Sequence, residues 1–140
     1  MKPFVTGLVV LCLSLCTSLA MAQSMEKEQA AIAAAQQWLA LVDAGRYDQS
    51  WKQAAEYFRN AVSKTDWRDS MRTERAPLGR LKSRKILRAD YRTSLPGAPD
   101  GEYVVIQFAT SFENKQAAVE TVTPQLEKDG RWRVSGYYIR

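Results

Sequence analysis

Glu102-Tyr103-Val104-Val105-Ile106-Gln107-Phe108-Ala109-Thr110-Ser111-Phe112-Glu113 alternates apolar and polar side chains, the two-residue period of a half-buried strand. Three neighbouring segments share that period. They are residues 80–94 before it, and Ala117 to Lys128 and Arg131 to Ile139 after it. The joints between them carry turn chemistry: Pro96-Gly97-Ala98-Pro99-Asp100-Gly101, Asn114-Lys115 and Asp129-Gly130. Four strands joined by short turns make an antiparallel meander. Taking Asn114-Lys115 and Asp129-Gly130 as two-residue turns pairs Phe108 with Thr121 and Thr121 with Tyr138. Since paired residues share a face, one side of the sheet is predicted to collect Ala89, Tyr91, Val104, Ile106, Phe108, Thr110, Val119, Thr121, Trp132, Val134 and Tyr138, with Leu87 and Phe112. The other side collects Arg84, Arg88, Asp90, Arg92, Tyr103, Gln107, Glu120, Arg133, Ser135 and Tyr137, with Ile86, Val105, Val122 and Ile139. Pro124 inside the third strand marks a bulge or a strand switch.

Upstream of residue 80 the period is 3.6. Ala31, Ala35, Trp38, Leu39 and Val42 form one face of a helix over residues 24–44, ended by Gly45. Trp51, Ala54, Ala55, Phe58 and Val62 repeat the spacing in a second helix with Asp48 as N-cap. Ser63-Lys64-Thr65-Asp66 has capping form and opens a third, carrying Trp67 and Met71. Helices followed by strands predict an α+β domain: two to three N-terminal helices packed on one face of a curved four-stranded antiparallel meander.

The first 22 residues read as an address. Lys2 is followed by an apolar run and by Ala20-Met21-Ala22 before Gln23, the anatomy of a secretory signal peptide cut after Ala22. Phe4 to Ala22 is close to spanning length, so an uncleaved anchor is the rival, opposed by Ser14, Thr17 and Ser18. The expected division is a signal over 1–22 and one domain over 23–140. The expected destination is the periplasm, with no stable membrane span after cleavage. Removing 22 of the 140 residues leaves 118, and loss of Lys2 lowers the net charge from +5 to +4. Both cysteines, Cys12 and Cys16, go with the signal, so the mature domain has no disulfide and relies on its core.

Several stretches resemble a bacterial domain-of-unknown-function family, number 4019. They are Ser50-Trp51-Lys52-Gln53-Ala54-Ala55, Arg75-Ala76-Pro77-Leu78-Gly79, the 96–103 turn, and Asp129-Gly130-Arg131-Trp132-Arg133-Val134-Ser135-Gly136-Tyr137. The resemblance spans nearly all of the mature chain and implies no activity. More loosely, the element order resembles the cystatin-like and nuclear-transport-factor-two-like cone folds, whose members include enzymes, carriers and interaction modules.

Composition excludes much chemistry. The chain has no histidine, the commonest general base and metal ligand. No metal site and no cofactor are expected: Asp66 and Asp69 read as acids in a first helical turn, and no phosphate-binding glycine pattern appears. Nucleophilic catalysis lacks a base near any hydroxyl. Arg80, Lys82, Arg84, Arg88 and Arg92 read as strand-edge protection, and nucleic acid is not an expected partner of an exported protein of only +4 with no aromatic-interleaved basic motif. A proton-transfer enzyme of the isomerase or dehydratase type needs a carboxylate in the cone, and Glu120 falls outside it unless a bulge turns it inward. The sequence therefore favours a non-catalytic exported module, with no catalytic residue assigned. Its candidate ligand-binding residues are Trp38, Trp67, Tyr91, Phe108, Thr110, Thr121 and Tyr138. Its candidate interaction face is Tyr103, Glu120, Arg133 and Tyr137, through which a homodimer could form. A ligand-free envelope accessory is the third reading.

Overall fold

The computed structural model describes the backbone of residues 9–140 and the side chains from residue 16 onward. The expected positive n-region, with Lys2, lies outside the described residues. The elements are α1 (Val9–Asp43), α2 (Tyr47–Gln53), α3 (Glu56–Ala61), α4 (Lys64–Glu74), β1 (Leu81–Arg92), β2 (Tyr103–Phe112), β3 (Lys115–Leu126) and β4 (Trp132–Ile139). The strands form one antiparallel sheet in the order β1-β2-β3-β4. The α+β fold is as read from the sequence. Among the described residues no helix is long and apolar enough to cross a membrane.

Helix α1 starts well before Ser24, because the apolar run continues the helix. The ion pair between Lys27 and Glu102 ties it to the residue before β2, and its buried stripe begins at Ala31. Ala31, Ala35, Trp38, Leu39 and Val42 are all buried, as the 3.6 period requires. The helix ends in a Schellman turn. Gly45 N–H bonds Val42 O and Arg46 N–H bonds Leu41 O, with Gly45 at φ 72°.

The expected second helix is broken into α2 and α3. At the break Ala55 N–H donates to Val134 O (2.8 Å), so one backbone group leaves the helix to join β4. Ala54 and Ala55 are fully buried there, where a larger side chain would hold helix and sheet apart. Helix α4 begins where predicted, with Ser63 Oγ accepting from Asp66 N–H (3.1 Å). A short 3₁₀ turn at Ala76–Leu78 then leads to Gly79, at φ 77° and ψ −157°. That region is open only to glycine. A Cβ at Gly79 would also meet Glu113 Oε1 at 2.8 Å and Glu113 Cβ at 3.0 Å. By contrast, a Cβ at Gly130 (φ 81°) meets nothing within 4 Å. Gly79→Ala is expected to cost about 2–3 kcal/mol and Gly130→Ala about 1–2 kcal/mol, as read by urea denaturation. Equal losses would show that the close approach to Glu113 carries no energy.

The register of β3 differs from expectation by one residue, and every side chain on it changes face. The β2–β3 turn is Glu113-Asn114, closed by the Phe112–Lys115 pair, one residue earlier than Asn114-Lys115. A bulge at Gln116-Ala117 follows, and Phe108 then pairs with Glu120 and Ile106 with Val122. The β3–β4 loop is a three-residue turn, Lys128-Asp129-Gly130, with Glu127 N–H bonded to Arg131 O. A bulge on β4 at Ser135, opposite the Thr123–Pro124 step, restores the predicted Thr121–Tyr138 pair. A third bulge at Leu87 shifts β1, leaving Leu87 57% exposed and bringing Arg84 opposite Thr110.

Glu120, Val122 and Tyr137 therefore face the helices rather than forming the outer face. Thr121 and Tyr138 lie on the outer face, with Tyr138 half exposed. Tyr103 keeps its outward register but is buried, because the 95–101 loop folds over it and Tyr103 O–H donates to Pro99 O (2.6 Å). Arg133 remains outward. The outer face thus exchanges Val122 and Tyr137 for Val119, Thr121 and Tyr138.

Candidate functional site

The inner face of the sheet carries an aromatic cluster and a charged one. Trp38 (α1), Phe58 (α3), Trp67 (α4) and Tyr137 (β4) pack ring on ring, with centroids 5.1–6.2 Å apart. Two indole N–H groups converge on Ser50. Trp38 Nε1 donates to Ser50 O (2.8 Å) and Trp67 Nε1 to Ser50 Oγ (2.9 Å). The expected ligand-binding residues Trp38, Trp67 and Phe108 are buried in this core against one another and Tyr137. Thr110 is inside too, but in the charged cluster. Tyr91 stands at the rim, donating to Glu102 Oε1 (2.7 Å) beneath Lys27. Hydrogen bonds from Lys27 and Tyr91 hold the Glu102 carboxyl below its usual range.

The charged cluster gathers one residue from almost every element. Arg84 Nε donates to Glu120 Oε1 (2.8 Å), and its two terminal nitrogens fork Asp43 (2.8 and 3.0 Å). Arg75 reaches the same Asp43 (3.2 Å), donates to Gly79 O (2.7 Å), and lies 4.3 Å over the Phe112 ring. Thr110 Oγ1 donates to Glu120 Oε1 (2.6 Å) and Tyr137 O–H to Glu120 Oε2. Two guanidinium groups balance two carboxylates. Burial and the charge of Glu120 push the Tyr137 phenol far above its ordinary value, so it stays a donor. Burial by itself pulls the Arg84 guanidinium down, but its hydrogen bonds to Asp43 and Glu120 outweigh that and hold it above its usual range.

Glu120 is the carboxylate that a proton-transfer reading requires between the helices and the sheet. It is inside, yet fully buried and accepting three hydrogen bonds across both oxygens. A general base must lie within reach of a substrate proton, and no open path leads to this one. The cluster acts as a clasp between α1, the end of α4 and all four strands. Among the described residues no group of three or more His, Cys, Asp or Glu is placed to hold a metal ion.

An open concavity of about 440 Å³ lies at the mouth of the inner face, between α1, α2 and the start of β4. Half-buried Trp132 forms one wall. Gln37, Lys52, Gln53 and Arg131 reach in from the sides, and Arg133 closes an edge. Trp38, which the sequence assigns to a ligand, and Arg133, which it assigns to an interaction face, both line this concavity, whereas Gln37, Lys52, Gln53 and Arg131 are not singled out as a site. Their exposed positions on α1, α2 and a turn carry no periodic signal. A wider cleft of about 750 Å³ on the far side of Lys52 mixes both charges, with Glu56, Asp100, Glu127 and Asp129 among its walls.

A family model described as "Protein of unknown function (DUF4019)" matches residues 34–137. The chain belongs to this family. The DUF4019 match takes in every residue of the clasp, from Asp43 to Tyr137, and the cleft from Ala34 onward. No curated protein and no solved structure matches the chain. Within the DUF4019 segment the β3–β4 hairpin carries a test of its own electrostatics. Arg133 forks Asp129 (2.8 and 3.0 Å) and bonds Glu127 (2.8 Å). Hydrogen bonds from Arg133, then from the Arg131 backbone, hold the Asp129 carboxyl at about 2, against an ordinary 3.8. A carboxyl depressed on folding stabilises the fold above its unfolded pKa. That contribution is lost as pH falls from about 4 toward 2. Side-chain carboxyl NMR should find Asp129 titrating near 2, and nearer 4 in Arg133→Ala. An unmoved value in the variant would remove Arg133 as the cause.

Proposed function

We propose that this chain is an exported, non-catalytic module that works by binding. The observation that carries the reading is Glu120, the interior carboxylate, which is sealed and satisfied by Arg84, Thr110 and Tyr137. Chemistry in the cone would need that group free, whereas the open concavities lie at its margins. Of the aromatic residues first assigned to a ligand, Trp67 and Phe108 are core, Tyr91 stands at the rim, Tyr138 lies on the outer face and Trp38 edges the open cleft, so the reading puts a ligand at the margin of the inner face rather than within it. Export rests on the signal anatomy of residues 1–22 and on the solvent exposure of residues 16–23, ahead of the buried stripe that begins at Ala31. On this reading the protein is cut after Ala22 and resides in the periplasm.

Native mass spectrometry of the protein purified from the periplasm tests both parts. The expected spectrum shows residues 23–140 with a small-molecule adduct that leaves on denaturation and is chemically unchanged after re-incubation. Conversion of the released molecule by fresh protein would establish an enzyme instead. A bare chain would leave the ligand-free accessory role.

A further inference from the structure

Resting on that reading, we infer that the cleft at the mouth of the cone takes a small ring compound bearing a single carboxylate. Its volume of about 440 Å³ falls within the range of small-molecule sites, roughly 300–1,000 Å³. Its walls carry three cations, Lys52, Arg131 and Arg133, and no acidic residue. Arg133 is already committed to Glu127 and Asp129, which stand behind it outside the cleft. Those two acids set against the three cations leave one positive charge uncompensated. Lys52 and Arg131 form no ion pair among the described residues. Cations facing one concavity raise the local concentration of anions. Half-buried Trp132 lines the cleft among mostly polar walls, and an indole face stacks on a ring better than on a chain. Gln37 and Gln53 offer paired donors and acceptors for ring substituents.

Two sources share this chemistry, an aromatic acid and a sugar acid. Phenylacetate and glucuronate represent them, each with a neutral counterpart, phenylacetamide and glucose. Titration of the purified protein at low salt, followed by tryptophan fluorescence and calorimetry, should show one acid binding at least ten-fold more tightly than its counterpart. Which acid binds identifies the source. The Lys52→Ala, Arg131→Ala double variant changes only exposed side chains. It should keep the wild-type circular dichroism and weaken binding ten-fold or more, and Trp132→Phe should shift the fluorescence response. Equal binding of acid and neutral counterpart, undiminished binding by the double variant, or no binding of either acid would each overturn the inference. A neutral adduct in the native mass spectrum would also overturn it while leaving the binding reading intact. An absent adduct would count against the binding reading, and the acid titrations would still decide the cleft.

Discussion

Glu120→Ala is expected to destabilise the domain by about 3–5 kcal/mol, the usual cost of removing one member of a buried ion pair. At about 4 °C per kcal/mol, that is a fall in Tm of roughly 10–20 °C. The deletion leaves Thr110 and Tyr137 with buried hydroxyls and no acceptor, and tips the Arg75–Asp43–Arg84 group to a net positive charge. Glu120→Gln keeps one acceptor oxygen, for Thr110 or for Tyr137 but not for both, and loses the charge, so it should fall between Ala and wild type. Arg84→Met combined with Glu120→Leu removes both halves of one pair, leaves Asp43 with Arg75, and should recover much of the loss. Thermal and urea unfolding of the four proteins measure this. A Glu120→Ala loss below about 1 kcal/mol, the range of exposed ion pairs, would mean the cluster is hydrated rather than sealed.

Trp67→Ala should cost a similar amount, about 3–5 kcal/mol, for a different reason. It opens a cavity among Trp38, Phe58 and Tyr137 that their rings cannot close without leaving their rotamers. It also strips the indole N–H from Ser50 Oγ, although Ser50 still donates to Tyr47 O (2.7 Å). Trp67→Phe separates the two effects, since it keeps much of the volume and loses the hydrogen bond. Its cost should be about 1–2 kcal/mol. If Phe and Ala proved equally damaging, the bond to Ser50 rather than the packing would hold α4 in place. The two large predictions should not be additive, because Tyr137 belongs to both clusters.

The helices were legible in the sequence because their buried stripes are long and periodic. Ala31 to Val42 names one face of α1 without ambiguity, and Ser63 announces α4. The order of the strands was legible from the turn chemistry. The faces of β3 and β4 were not. A one-residue slip reverses a strand, and here a turn one residue early, followed by a bulge, makes that slip on β3. Neither face of β3 penalised the error enough to expose it, since Val119, Thr121 and Thr123 alternate with Glu120, Val122 and Pro124, both sets part apolar. The signal that was present is Pro124, whose bulge was foreseen. Its effect falls on Tyr137, which the Ser135 bulge turns onto Trp38 and Trp67. The break between α2 and α3 was invisible for another reason. It depends on Val134 O, some eighty residues away, and local periodicity does not register a distant acceptor.

Val134 and Tyr137 sit on β4, and both complete the core that Trp38 and Trp67 begin. Each hairpin of the meander closes with its neighbour in sequence and forms locally. Helix α1 packs on all four strands, and β4 adds Val134 and Tyr137 to the core that β2 and β3 share with it. Asp43, Arg84 and Glu120 are likewise joined only when the first helix meets the third strand. Contacts this far apart in sequence bind the helices and the sheet into one cooperative unit, whose assembly is slower than the closing of its local hairpins.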